Sequence, residues 1–461
     1  MSYYIDSKCF SPLKAFYLCH SLFVPNTTSH SAKHFTARLR PLSPLVSNQI
    51  LAPANDILDN FVRDVVRGGA VDDPRFIELG VRRVISQSAS GRDFIQQARE
   101  VQAESLARST FFDALHSRRR LDILANLNTE LVQRRAATLP DLLANFPALK
   151  KLPIYAVDGH HIEHPTHSAR DQDSEFVSSN SLYVLCLHSG LLMNMGAVQG
   201  NGIRRHEMPV FRQRLADWIV RHRDARGTRP ILVLDPAFVD NDFWSRMQIL
   251  SQGGAQVITR MKENMKPHVM SVQTWDKTLA VNQGVSCDEW IGFANSCLMR
   301  RVRYVDPESG IEYEFLTTVK NLAPGLIALL YLLRWRIEKI FDTGKNKLEE
   351  KKAWATGTVA HEIQAHFMAL TQNLMLLLRE DLRTDEGIVE VKVEQKRMQA
   401  LKERTKRATA AGRSVAVIQK LLPAIVQLTA QFIRTLRNGI LTDMRWADAL
   451  PHLRRSMETY L

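Results

Sequence analysis

The residues of this chain best suited to chemistry are three carboxylates and the cations near one of them. Asp158 closes the apolar run Ile154-Tyr-Ala-Val and precedes Gly159, while Asp235 closes Ile231-Leu-Val-Leu and precedes Pro236. Glu338 lies within Tyr331-Leu-Leu-Arg334-Trp-Arg-Ile-Glu338-Lys-Ile-Phe-Asp342-Thr-Gly-Lys345. On a helix of about 100° per residue, Tyr331, Arg334, Glu338 and Lys345 fall at roughly 0°, 300°, 340° and 320°. A phenol, a carboxylate and two cations then share one narrow stripe. Beside it, Leu333, Ile337, Phe341 and Leu348 form an apolar stripe suited to packing on a sheet. Two aspartates at the ends of neighbouring strands, joined by a helical glutamate, can hold hard divalent cations, Mg²⁺ or Mn²⁺ before Zn²⁺. A pair of such ions serves phosphoryl transfer by stabilising the attacking and leaving oxygens. Arg334 and Lys345 are placed to grip phosphate. Singly, each Asp reads as a turn residue and Arg334–Glu338 as a surface pair; together they read as a site.

The elements that must position these groups follow from the periodicity. A change of period near Lys150 introduces strand-like runs at Ile154–Asp158, 182–187 and 191–198, the last two joined by a turn at His188-Ser-Gly190. Gly159 is expected to let the backbone turn sharply beside Asp158. A helix over 209–223 leads to Ile231–Asp235, whose continuous apolar text suits a strand buried on both faces. A helix over 243–250 and a strand over 255–259 come next, and residues 267–319 read as a small antiparallel insertion. The helix bearing Glu338 is expected to begin through Asn321 and Pro324.

Outside this core the chain reads as helical. Residues 1–54 mix Ser, Thr, His and Pro without period and read as a poorly ordered arm. Helices are expected over 57–66, 76–85 and 92–101, the last capped by Ser90. Another, over 104–115, runs into Arg118-Arg119-Arg120. Short helices ending in an arginine run suit a helix-turn-helix reader of DNA, with those three arginines on phosphates. They suit a helical bundle with a solvated basic end equally well. From Val391 the tail is helical and basic, with a second helix near 421–436. The expected division is an arm (1–54), a helical DNA-binding region (55–150), a catalytic core in two parts (151–266 and 321–380) split by a β-rich insertion (267–320), and a basic helical C-terminal region (381–461).

The net charge of +13 over 461 residues favours a polyanionic partner, nucleic acid before anionic membrane. Five scattered cysteines without a CxxC argue against a disulfide framework or a cysteine zinc site and suit a reducing cytosol. No apolar run approaches a membrane span, and no convincing signal cleavage site follows the mildly apolar segment over 15–24, so a cytoplasmic protein is expected.

The spacing Tyr331-x2-Arg334-x3-Glu338-x6-Lys345 resembles the YREK signature of DDE insertion-sequence transposases. Ile154–Gly159 and Val233–Phe238, the latter continuing through Gly254–Asn264, are similar to that family's two aspartate blocks, so the likeness covers about residues 154–375. It implies an RNase H-like α/β fold with a mixed sheet, flanking helices and a β-rich insertion between the second Asp and the Glu. It implies Mg²⁺-dependent (or Mn²⁺-dependent) cleavage and joining of double-stranded DNA at cut-and-paste transposon ends. Asp158, Asp235 and Glu338 would hold the metal, Tyr331, Arg334 and Lys345 would orient phosphates, and the protein would act as a homo-oligomer, a dimer first, near the prokaryotic nucleoid. His160 and Pro236-Ala237 depart from the family's usual residues without removing a carboxylate. Of His160, His161, His164 and His167, the last three, spaced His161-x2-His164-x2-His167, could be drawn as a zinc site, although contact with DNA is the expected role. Trp275 and Trp290 could wedge at a flipped base, with insertion core as the plainer role. A nuclease that cuts without joining, or a domesticated DNA-binding protein, stays open as an alternative.

Overall fold

The computed structural model of the chain describes residues 45–60, 71–102, 108–162, 179–198, 207–222, 228–249, 254–293, 298–348, 352–415, 420 and 428–458. Its aliphatic runs become β1 (Ile154–Ile162), β2 (Ser179–Cys186), β3 (Leu192–Val198), β4 (Ile231–Leu234) and β5 (Gln256–Arg260). The insertion contributes β6 (His268–Val272), β7 (Val285–Gly292), β8 (Leu298–Val305) and β9 (Glu312–Thr317). All nine lie in one sheet ordered β3-β2-β1-β4-β5-β9-β8-β7-β6. β1 runs parallel to β4, and β4 to β5; every other pairing is antiparallel. The first five strands thus make the mixed RNase H-like sheet, and β9 joins the insertion to its edge at β5. All four residues of β4 are buried, as a strand covered on both faces requires.

Helices α1 (Ala52–Leu58), α2 (Asp73–Ser86), α3 (Gly91–Gln102), α4 (Arg108–Ala114) and α5 (Arg118–Arg135) precede the sheet. Between its strands come α6 (Glu207–His222) and α7 (Asn241–Ile249), and after β9 follow α8 (Pro324–Lys347), α9 (Thr358–Asp385) and α10 (Val391–Ala410). Two more helices, Ala430–Leu441 and Trp446–Glu458, come last. Alternation along β1 sends Tyr155 to Trp218 of α6, ring centroids 4.9 Å apart, and His160 to Phe341 of α8, stacked at 4.5 Å. The two helices therefore cover opposite faces of the sheet. α9, apolar nearly all round, lies against β3, α5 and α2 and ties the N-terminal helices to the core.

Several expectations need correction. The arm expected over 1–54 ends in ordered structure, with Leu45, Val46, Ile50 and Ala54 fully buried; residues 1–44 lie outside the described residues. The helix read through to the arginine run is two helices. α4 stops at Ala114, and Ser117 caps α5, accepting a hydrogen bond from Arg120 N at 3.4 Å. The arginines thus open a helix rather than close one. Ser90 does cap α3, accepting from Asp93 N at 3.1 Å while Asp93 accepts from Ala89 N at 2.7 Å. Gly190, with φ +76°, makes the β2–β3 turn that a side chain would strain. Part of each helix expected over 57–66 and 421–436 lies outside the described residues.

Candidate active site

Parallel pairing of Val157 with Leu234 brings the next residues, Asp158 and Asp235, side by side. Asp235 lies just past the carboxyl end of β4, but Asp158, expected to end its strand, sits in the middle of β1, which runs on to Ile162. α8 packs across these strands and presents Glu338 to the same place. A single guanidinium lies between the three. Arg334 Nη1 donates to Asp158 Oδ2 at 2.8 Å, and its Nη2 donates to Glu338 Oε1 at 2.8 Å and lies 3.6 Å from Asp235 Oδ2. The Arg334 side chain is 5% exposed, whereas those of Asp235 and Glu338 are each 37% exposed, so the site opens on their side. Asp158 Oδ1 accepts from Gly159 N, and Asp235 Oδ1 from Ala237 N, both at 2.9 Å. Each aspartate thus keeps one oxygen on the backbone and turns the other toward Arg334.

Burial pushes the Asp158 carboxyl up to about 7; Arg334 and the Gly159 N–H pull it down, and Glu207 and Asp235 push it further up. Burial opposes the charge of Arg334, but Asp158, Tyr331, Glu338 and Asp235 outweigh it and raise its pKa. Among the described residues no three His, Cys, Asp or Glu side chains form a ready cage for an ion. The carboxylates close on the guanidinium instead. Yet the donor set is hard oxygen throughout and already gathers around a positive group, which suits Mg²⁺ or Mn²⁺.

Arg334, expected to grip phosphate, here holds carboxylates. Tyr331 is buried against Phe315, with ring centroids 5.0 Å apart, and the Arg334 guanidinium lies 5.6 Å from its ring. Burial raises the Tyr331 phenol pKa first, with Asp235 adding to it. Lys345 is exposed on the same helix. Trp335, one residue from Arg334, is 56% exposed, an unusual cost for so large a ring. His160 is buried under Phe341 and unavailable to DNA, and His161 is exposed; His164 and His167 lie outside the described residues. Trp275 and Trp290 line one cleft where the insertion meets the start of α8, each with a lysine, Lys277 and Lys320, near its ring.

The arginine run is partly committed elsewhere. Arg119 grips Asp73 with both Nη atoms at 2.6 Å, and Arg120, buried against Phe76, reaches the same carboxylate at 3.2 Å. These contacts hold Asp73 below its usual carboxylate range although burial opposes them. Arg118 alone of the three makes no such contact with Asp73 and is exposed.

One carboxylate here was not anticipated from the sequence. Glu207, the first residue of α6, lies against Gly159, where a Cβ would come within 1.7 Å of Glu207 Oε1. Asn180 Nδ2 donates to that oxygen at 2.9 Å. Burial raises the Glu207 carboxyl pKa, Asn180 lowers it and Asp235 raises it further. The glycine after Asp158 was the available signal, but it marks this close approach rather than a turn, since β1 continues through Ile162.

The sheet order and the meeting of aspartates from two adjacent parallel strands with a helical glutamate define an RNase H-like α/β protein. Residues 149–374 match the family model of the transposase DDE domain, and this part of the chain belongs to that family. No curated protein matches the chain.

Proposed function

We propose that the chain is a DNA transposase that cuts and joins strands at insertion-sequence ends, with Asp158, Asp235 and Glu338 as its metal-binding residues. The observation that carries this reading is the convergence of those carboxylates, from two strands and a helix distant in sequence, on one buried guanidinium. Mg²⁺ or Mn²⁺, when bound, would supply activation of a water or 3′-hydroxyl and stabilisation of the leaving oxygen. The protein's own part is to hold the carboxylates in one frame. The backbone donors at Gly159 and Ala237 fix the two aspartates, and the rigid α8 fixes Glu338. Arg334 offsets part of the carboxylates' charge until another cation takes over that role, and its fork is then available to phosphate oxygens. Lys345 and Trp335, exposed on the same helix as Glu338, offer a charge contact and a stacking face to a DNA strand. The working unit is a homo-oligomer, at least a dimer, acting on DNA in the prokaryotic cytoplasm.

The test is direct. Asp158→Asn, Asp235→Asn and Glu338→Gln should each abolish Mg²⁺-dependent nicking of a duplex carrying the element's ends while leaving binding of that duplex largely intact. Near-normal nicking by any of them would remove that residue from the site. Strand transfer into a target plasmid, assayed alongside, separates a transposase from a nuclease that cuts without joining.

A further inference from the structure

β1 has one position without a side chain on the face covered by α6, and a carboxyl group fills it. The Glu207 carboxyl overlaps the space a Cβ at Gly159 would take, 1.7 Å from Oε1 and 2.3 Å from Cδ. It is held there by Asn180 of β2, whose Nδ2 donates to Oε1 at 2.9 Å. The N–H of the same Gly159 donates to Asp158 Oδ1 at 2.9 Å. One glycine therefore has a glutamate packed against its Cα and an aspartate hydrogen-bonded to its nitrogen. Arg334 answers the three carboxylates on the α8 face, but no ion pair to Glu207 is seen among the described residues. Its charge stands behind β1, and among the described residues its side-chain hydrogen-bond partner is an amide.

We propose that Glu207 is a fourth carboxylate of the site, a positioning residue that fixes Asp158 through Gly159 and strengthens divalent-cation binding by its charge. This rests on the reading of Asp158, Asp235 and Glu338 as the cation-binding set. The geometry explains two residues together: Gly159 is small because Glu207 must reach past it, and Asn180 is an amide because it must donate without neutralising.

The experiment titrates the full chain with Mn²⁺ alone and follows free Mn²⁺ by electron paramagnetic resonance. Glu207→Gln keeps the shape and the Asn180 contact but loses the charge, and should weaken Mn²⁺ binding by about three- to tenfold. Glu207→Asp keeps the charge one methylene back and should restore most of that affinity. A merely structural Glu207 would give the reverse order, with Gln harmless and Asp harmful, and that order would overturn the proposal. The contact itself is tested by melting temperature. Gly159→Ala should lower it in the wild-type background and be tolerated once Glu207→Ala has cleared the space. An equal loss in both backgrounds would overturn the close approach. A wild-type chain that binds no Mn²⁺ would overturn the metal reading and this inference with it, whereas wild-type binding matched by Glu207→Gln overturns this inference alone.

Discussion

In the proposed site, Arg334 and a divalent cation would compete for one position among three carboxylates. Arg334→Gln should therefore do two things at once. Without metal it leaves Asp158 and Glu338 without their shared cation, which should cost a few kcal/mol, on the order of breaking a buried pair. With saturating Mn²⁺ the variant should regain more melting temperature than the wild type gains, because no guanidinium has to be displaced. Equal Mn²⁺-induced shifts in the two proteins would mean that Arg334 and the ion do not exclude one another. The helical spacing put Arg334 beside Glu338, and that much was legible in the sequence. Its bond to Asp158 was not, because the two lie 176 residues apart and only the fold joins them. His366 offers a second test at this scale. Burial in α9 first, and Arg221 second, hold its imidazole down at about 4, so it stays neutral in the fold. Once unfolded it would take up a proton near pH 6.5, so its contribution is complete above that pH and is lost as pH falls toward 4. Between pH 7 and pH 5 this group should remove about 2 kcal/mol of stability. His366→Leu should lack that component when urea midpoints are compared at the two pH values; parallel losses in both proteins would refute the assignment.

Among the elements, α8 depends on the insertion that precedes it. Arg300 of β8 donates to both oxygens of Asp288 on β7, at 2.7 and 2.6 Å, and its Nη1 donates to the Leu322 carbonyl at 2.7 Å. Both side chains are almost fully buried, so this pair clamps the chain just before α8 begins at Pro324. Arg300→Met should cost about 3–5 kcal/mol, because Asp288 would be left buried without its cation. Adding Asp288→Leu should recover much of that loss. Hydrogen exchange over 323–330 should quicken in the single variant; unchanged protection there would show that the clamp does not hold the helix. The strands were legible where the text was one-sided, as in the fully apolar β4. Gly159 was misread because a glycine that permits a turn and one that permits a close approach look alike until the approaching residue is known. The α4–α5 break was missed because Leu115 prolongs the apolar period, although Ser117 already carried the cap.

At the scale of the whole molecule, the proposed function would have a net charge of +13 meet DNA somewhere, and the pairing of the arginines bears on where. The arginine run at 118–120 was the natural candidate in the sequence, but its partner Asp73 lies 46 residues earlier and was invisible there. α10 has the better surface. Lys402, Lys406 and Arg407 are exposed, while Arg404 pairs with Glu308 and Arg413 donates to the Ser309 carbonyl at 3.2 Å, docking the helix on the β8–β9 turn. A docked helix with an exposed basic side loses less entropy on meeting a duplex than a free tail would. Lys402→Gln, Lys406→Gln and Arg407→Gln combined should reduce the slope of log affinity against log salt by about 2–3, the value for three phosphate contacts. Arg119→Gln with Arg120→Gln should instead leave Asp73 buried and unpaired, lowering the melting temperature with little change in slope. Both variants are compared with the wild-type full chain on one duplex across a salt series. A folded 119/120 variant with a flattened slope, beside an α10 variant with an unchanged one, would return the DNA surface to the N-terminal helices.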